Sequence, residues 1–229
     1  MQYEIAGLRV EMAVSGRTLK QAAAYAAPAY GQPDIVIPDN AELFLKHYPQ
    51  LGDMDTAQYM GSGAAFSRSL LDHDGFQLHA SSVIFDGRAY LFSAPCGTGK
   101  STHTEKWVRL FNARYLNDDK PAIRLVDGRW MAFGTPWSGK HDLSSPEGAP
   151  IGAVVYLKRG SVNEICPIEP AKAVPYLLSQ MDRIHPKDYT ERLISLADGF
   201  LRSVPVWELT CRNDDEAAYV SRAAITDNS

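Results

Sequence analysis

Short apolar runs separated by polar and glycine-containing turns dominate the first third of the chain, and this spacing predicts strands mixed with small helices. The predicted elements are a β-hairpin over 3–13 that turns at Ala6-Gly7, a strand over 34–37, a helix ending at Lys46 and a helix over 64–71. Asp39 and Glu42 have the spacing of a capping box, which predicts where the first helix begins. We therefore expect residues 1–74 to form a small α+β appendage.

From residue 75 onward, strand-like runs alternate with helical spacing. Asp86-Gly87 and Asp127-Gly128 are turn sequences that each predict a β-hairpin. The predicted strands cover 81–85, 89–93, 122–126, 129–133, 153–157 and 206–210, and the predicted helices cover 174–181, 189–204 and a last helix that Asn213 is expected to cap, with Glu216 three residues later. This pattern predicts an α/β domain over residues 75–229, in which helices flank a mixed sheet.

A glycine-rich segment joins a predicted strand to a predicted helix: Ala94-Pro95-Cys96-Gly97-Thr98-Gly99-Lys100-Ser101-Thr102. Strand, glycine loop, lysine, hydroxyl and helix in this order are the P-loop (Walker A) arrangement, although its usual first glycine is Ala94 here. Backbone N–H groups would surround the phosphates, Lys100 would contact the β- and γ-phosphates, and Ser101 would ligate Mg²⁺. The pattern predicts ATP and Mg²⁺ as cofactors; the alternative is a glycine turn that opens an ordinary helix. The expected nucleotide-binding residues are Pro95, Cys96, Gly97, Thr98, Gly99, Lys100, Ser101 and Thr102.

Composition narrows the class of protein. The net charge of −4 argues against nucleic-acid binding through a basic surface, and no apolar run reaches membrane-spanning length. Glu4 and Glu11 interrupt the stretch where a signal peptide would be apolar. The three cysteines show no metal-binding spacing. We expect a cytoplasmic protein with neither a nucleic-acid nor a membrane partner.

An acidic pair, Asp118-Asp119, follows a predicted strand end and precedes Lys120-Pro121. Phosphoryl transfer needs charge neutralisation on the γ-phosphate and a group that accepts the proton of the attacking hydroxyl. Two carboxylates near a P-loop would supply both a base and a metal ligand. The alternative is a solvated turn in which the aspartates cap and the proline ends the strand.

Motif order in this chain resembles the catalytic domain of HPr kinase/phosphorylase, a fold shared with phosphoenolpyruvate carboxykinases. The resemblance covers about residues 75–211. It rests on the glycine-rich segment together with His79-Ala80-Ser81-Ser82, Asn117-Asp118-Asp119-Lys120 and Gly134-Thr135-Pro136-Trp137-Ser138-Gly139-Lys140. Carboxykinases are far longer, so the resemblance implies a kinase rather than a decarboxylating enzyme.

By this resemblance Asp118 is the general base, and Asp119 holds the metal directly or through water. His79 would orient the catalytic carboxylate or contact the transferred phosphate, and Lys100 completes the catalytic set; a structural role is the alternative for His79. The family's metal-binding glutamate has no counterpart, because Ala132 and Phe133 stand at that strand.

Trp137 and Lys140 lie in a segment rich in glycine and proline, where a tryptophan is unusual unless it packs or binds. We expect both residues to contact the substrate, with Lys140 supplying positive charge; the alternative is a hairpin end whose indole covers the core.

The whole pattern is most similar to a small HPr-kinase-like group whose genes often accompany those of ribosomally made modified peptides, and some of whose members are peptide kinases. This resemblance implies an ATP-dependent kinase that phosphorylates a Ser or Thr hydroxyl of a peptide or protein. A nucleotide-binding regulatory or scaffolding protein without catalysis is the alternative. The oligomeric state is open at this stage.

Overall fold

The first 37 residues build a small sheet in this computed structural model, which describes residues 1–29, 31–181 and 187–226. Strands β1 (Gln2–Ile5) and β2 (Leu8–Met12) pair antiparallel, and β3 (Ile35–Ile37) lies parallel to β2. Ala6 and Gly7 both have positive φ, 56° and 70°, as the predicted two-residue hairpin turn requires. The predicted hairpin and the strand after it are confirmed.

Three helices accompany this sheet: α1 (Gly16–Ala22), α2 (Ala41–His47) and α3 (Met54–Leu70). The capping-box prediction for α2 was wrong, because Asn40 is the N-cap residue and Asp39 instead accepts the N–H of Ala41 at 3.2 Å. Helix α3 begins at Met54, well before the predicted residue 64, and Asp53 caps it by accepting an N–H at 2.8 Å.

Nine strands form the main sheet in the order β4-β8-β9-β10-β6-β5-β7, with β12 also beside β10 and β11 beside β12. Among the described residues of this main sheet, only β10 makes parallel pairs, with β6 and with β12, and the other pairs are antiparallel. The strands are β4 (Gly75–Gln77), β5 (Ala80–Phe85), β6 (Arg88–Ser93), β7 (Arg114–Asn117), β8 (Ala122–Val126), β9 (Arg129–Phe133), β10 (Gly148–Arg159), β11 (Glu164–Ile168) and β12 (Val206–Cys211). The expected mixed sheet is confirmed.

Helices cover both faces of this sheet: α4 (Lys100–Phe111), α5 (Pro170–Ser179), α6 (Lys187–Ser203) and α7 (Glu216–Thr226). Alternate residues of β6 point to opposite faces, so that Leu91 joins the core under α5 and α6 while Phe92 joins the core under α4 and α7. The expected α/β architecture, with helices flanking a mixed sheet, is therefore present. No helix among the described residues is long and apolar enough to span a bilayer.

The end of the chain departs from the sequence prediction in two places. Helix α7 begins at Glu216, where Asp214 accepts the N–H of Ala217 at 3.2 Å; Asn213 does not cap it. Instead, Asn213 Oδ1 accepts a hydrogen bond from Lys106 Nζ at 2.6 Å. Strand β11 was not predicted, because it contains Pro167, which only an edge strand accommodates.

A third core joins the first part of the chain to the main sheet. Tyr3, Tyr59 and Phe66 belong to this core. Ala122 of β8 and Trp137 complete it from the other side. The small three-stranded sheet is separate in topology, but its packing continues across the predicted boundary at residue 74, and that boundary stays a prediction.

Candidate active site

The glycine loop, residues 94–99, connects the end of β6 to the first residue of α4. Gly97 and Gly99 have φ values of 77° and 120°, which side chains rarely adopt, and no heavy atom lies within 4 Å of where a Cβ would be. Ala94 is fully buried and does not have a positive φ, so alanine fits where the motif usually has glycine. The loop therefore combines left-handed glycines, open space and a helix N-terminus, the features that anion binding requires.

Lys100 is buried at the base of this loop, and its Nζ donates to the carbonyl oxygen of Ala94 at 3.0 Å. Burial lowers the pKa of Lys100, whereas the charges of Asp119 and Cys96 act in the opposite direction. Within the part of the chain that the structure describes, the ammonium group donates one hydrogen bond, to this neutral carbonyl, and it lies close enough to Asp119 to interact with its charge.

The two aspartates of the acidic pair have opposite electrostatic environments. Burial raises the pKa of Asp118, the charge of Asp119 adds to this effect, and the N–H of Gly139, 2.5 Å from Asp118 Oδ1, opposes it. Burial also acts to raise the pKa of Asp119, but the hydrogen bond and charge of His79 outweigh it and lower the pKa overall. Asp118 therefore has a raised pKa and Asp119 a lowered one. Such a difference is found where two neighbouring carboxylates have different chemical roles.

His79 lies just before β5 and contacts oxygen atoms with both ring nitrogens. Nε2 is 3.2 Å from Asp119 Oδ1, and Nδ1 is 3.1 Å from Gln180 Oε1. The amide nitrogen of Gln180 donates to Ser179, which leaves its oxygen directed at the ring. His79 therefore contacts Asp119 on one side and Gln180 on the other, and these two contacts fix the orientation of the ring.

Asn117, the last residue of β7, shapes the acidic pair and was not among the predicted site residues. Its fully buried side chain accepts the N–H groups of Asp119 and Lys120 at 2.9 and 2.7 Å, and donates to the carbonyl oxygen of Thr135 at 3.0 Å. The carbonyl oxygen of Asn117 also accepts from Ser82 Oγ at 2.9 Å. An asparagine directly before two acidic residues at a strand end was the available sequence signal for such a turn.

The segment 134–140, which we call the indole loop, approaches the acidic pair through Gly139. Trp137 in this loop is 3 % exposed and stacks on Phe66 of α3 with ring centroids 4.8 Å apart. Its Nε1 donates to Ser62 Oγ at 3.1 Å. The indole of Trp137 is thus part of the core, and it also lines a cavity next to the acidic pair. Lys140 is exposed and lines neither this cavity nor the one beside the glycine loop.

Residues of α1 and α3 hold the indole loop in place. Tyr59 Oη donates to the carbonyl oxygen of Ser138 at 2.7 Å, and Arg17 Nη2 donates to that of Gly139 at 3.1 Å. Ser138 Oγ donates to Gln21 Oε1 at 3.1 Å. Because Gly139 N–H bonds Asp118, these contacts connect the first part of the chain to the acidic pair.

A cavity of about 370 Å³ lies beside the glycine loop and has a basic lining that includes Lys106, Arg159 and Arg212. Arg159, at the end of β10, donates to the carbonyl oxygens of Gly97 and Thr98. Of the other predicted nucleotide-binding residues, Thr102 is exposed and lines this cavity, Ser101 is half-buried, and Pro95 and Cys96 are exposed.

Metal binding here would depend on oxygen ligands. Among the described residues no group of three or more His, Cys, Asp or Glu side chains could hold a metal ion. Ser101 and Asp119 carry oxygen donors, the ligand type that Mg²⁺ takes, and Mg²⁺ commonly uses one or two protein oxygens and completes its shell with water and substrate phosphates. Ala132 is fully buried and, like Phe133, offers no ligand in place of the family's glutamate.

Comparison with known proteins adds one structural likeness. No protein-family model matches the chain, and no curated protein matches it in sequence. Among solved structures, the Hpr(Ser) kinase/phosphatase from Coxiella burnetii matches with a TM-score of 0.40 at 9 % identity. The match covers 66 % of this chain and 97 % of that chain.

Proposed function

We propose that this protein is an ATP-dependent kinase that transfers the γ-phosphate to a Ser or Thr hydroxyl of a peptide or protein. The observation that carries the proposal is that Lys100, buried below the glycine loop, lies close enough to Asp119 to interact with its charge, and that Asp119 is directly preceded in the chain by a second carboxylate, the buried Asp118. A structural glycine turn requires no such partners.

The glycine loop and Lys100 would hold the triphosphate. Gly97 and Gly99 leave space for the phosphate oxygens, and Lys100 would exchange its bond to the Ala94 carbonyl for bonds to phosphate. Mg²⁺, held by Ser101 and Asp119, would neutralise charge on the phosphates. The low pKa of Asp119 favours this role, because a metal ligand must be ionised.

Asp118 is the proposed base. In the transfer, the acceptor hydroxyl gives its proton to the Asp118 carboxylate and its oxygen bonds to the γ-phosphorus, while the bond from that phosphorus to the leaving oxygen of ADP breaks. A raised pKa makes Asp118 a better proton acceptor than an ordinary aspartate. The contact with His79 helps to lower the pKa of Asp119, so Asp119 competes poorly for the same proton.

The basic cavity beside the glycine loop is the proposed site of the ribose and base. Thr102 and Lys106 project from the first turns of α4, and Arg159 reaches the loop from β10. Cations around a helix N-terminus favour the negatively charged phosphates of a nucleotide, and the neutral ribose and base would extend from those phosphates into the cavity.

Labelled phosphate from γ-labelled ATP, with Mg²⁺ and a pool of Ser- and Thr-containing peptides, tests the proposal. We expect transfer by the wild type, a loss of at least 100-fold in Asp118→Asn, and a severe loss of ATP binding in Lys100→Ala. Asp127→Asn, in an exposed turn remote from the site, is the matched control and should leave transfer unchanged. Transfer that survives Asp118→Asn would remove this residue from the role of base. Tight ATP binding without transfer or hydrolysis would support a non-catalytic nucleotide-binding protein instead.

A further inference from the structure

A second cavity, of about 420 Å³, lies between the first part of the chain and the acidic pair. Its volume falls within the range of about 300–1,000 Å³ that is usual for ligand sites. Asp119 and Lys120 line one side of it. The rest of the lining is largely apolar, and we call its main residues the apolar wall: Phe44, Tyr48, Leu51, Tyr59, Met60 and Trp137.

The apolar wall combines fixed rings with one adaptable side chain. Tyr59 and Trp137 are buried, and hydrogen bonds to Ser138 and Ser62 hold them in place. Met60, by contrast, is 49 % exposed although it belongs to this apolar wall. A flexible thioether adapts to ligands of different shape, so the wall suits an apolar group that varies in outline.

This cavity is separate from the one beside the glycine loop. It shares no lining residue with the basic cavity beside the glycine loop. The two cavities are nevertheless connected electrostatically, because Asp119 lines the apolar one and its charge acts on Lys100. In-line phosphoryl transfer requires that nucleotide and acceptor approach from different sides of the reacting phosphate.

We infer that this cavity binds the acceptor as a peptide whose phosphorylated Ser or Thr is next to a large apolar or aromatic side chain, and that this side chain occupies the space between α2 and α3. The inference rests on the proposed kinase function for the identity of the hydroxyl. The apolar wall itself comes largely from the first part of the chain, outside the stretch that carries the glycine loop and acidic pair.

Calorimetric titration with two capped dipeptides, acetyl-Phe-Ser-amide and acetyl-Gly-Ser-amide, tests the inference without turnover. Burial of a phenylalanine side chain is worth about a factor of ten or more in affinity, so we expect the Phe peptide to bind at least tenfold more tightly. Equal affinities, or no binding of either peptide, would overturn the inference. A preference for a small hydroxylated molecule over both peptides would overturn it as well.

Two methionines of α3 provide a matched pair of variants. Met60→Glu places a charge in the apolar wall and should remove the preference for the Phe peptide. Met54→Glu changes the same residue type on the same helix, at 46 % rather than 49 % exposure and outside the cavity, and should keep it. Thermal unfolding followed by circular dichroism checks that both variants fold, and Ala64→Trp, which fills the cavity, gives a second test of the same loss.

ATP titration of the wild type separates failure of this inference from failure of the proposed function. A protein that binds the Phe peptide but not ATP keeps the inferred peptide site and loses the kinase proposal. A protein that binds ATP and phosphorylates peptides without regard to the neighbouring residue keeps the kinase proposal and loses the inferred peptide site.

Discussion

Replacement of Asn117 by alanine is the sharpest test of how the acidic pair is positioned. The substitution removes the acceptor of two backbone N–H groups, at Asp119 and Lys120, and the donor to the carbonyl of Thr135. That carbonyl keeps a bond from Ser144 Oγ at 2.6 Å, so the loss falls mainly on the two N–H groups. Each unsatisfied buried group costs about 1–3 kcal/mol, and we expect a total loss of about 2–4 kcal/mol in the free energy of unfolding.

Catalysis should suffer beyond this loss of stability. Without Asn117 the turn that carries the pair is free to shift, and a displacement of about 1 Å in a reacting group costs up to about 100-fold in rate. We therefore expect kcat to fall about 10- to 100-fold while the affinity for ATP changes little.

Urea unfolding and labelled-phosphate transfer, measured at a temperature where each variant remains folded, give the two quantities. Leu193→Ala is the control, because Leu193 is a buried core residue under the sheet and its truncation costs about 2–5 kcal/mol. This control should lose stability and keep kcat. If Asn117→Ala loses less than about 0.5 kcal/mol and keeps its kcat, the bonds described here do not position the pair.

Substitutions at three other positions test the buried histidine, the glycine loop and the indole. His103 contacts Ser221 at 3.0 Å, and burial lowers its pKa from 6.5 to about 3. The unfolded chain thus binds a proton that the folded protein excludes, so the free energy of unfolding should fall as the pH drops from about 6.5 towards 3. His103→Gln should reduce this dependence on pH in urea titrations. An identical dependence in the variant would contradict the lowered pKa of His103. Gly99→Ala forces a side chain onto a φ of 120°, at about 1–3 kcal/mol, and should weaken ATP binding at least tenfold in a direct titration; unchanged affinity would show that this φ is not needed. Trp137→Ala removes the stack on Phe66 and should cost about 3–5 kcal/mol in urea unfolding, whereas a loss under about 1 kcal/mol would mean that the indole does not hold the core.

Local chemistry explains which parts of the fold were predictable from the sequence. The hairpin turns at Asp86-Gly87 and Asp127-Gly128 need two successive residues with positive φ, and the side chains that tolerate this are few. The start of α3 was missed, because the unpredicted part, residues 54–63, includes Gly61 and Gly63 and has no clear apolar stripe. A Cβ at Gly63 would lie only 2.9 Å from the indole of Trp137, so tertiary packing, which the local pattern does not contain, accounts for this glycine.

The candidate site, too, could be predicted from the sequence only in part. The acidic pair and the glycine loop are contiguous segments whose residue types suggest their chemistry, and they could be selected from the sequence. Gln180, which fixes the ring of His79, is 101 residues away from it, and no spacing rule connects the two. The apolar cavity was likewise invisible, because its walls come from segments far apart in the chain, including α2 and the indole loop.

The contacts between Trp137 and α3 predict how a shortened form of this protein would behave. A fragment that starts at residue 75 would retain every strand of the nine-stranded sheet and the whole of α4. It would also expose the indole to water and release the Ser138 and Gly139 carbonyls from Tyr59 and Arg17. We therefore predict that proteolysis or trimming at that point would keep the proposed binding of a triphosphate and lose the proposed transfer of its terminal phosphate.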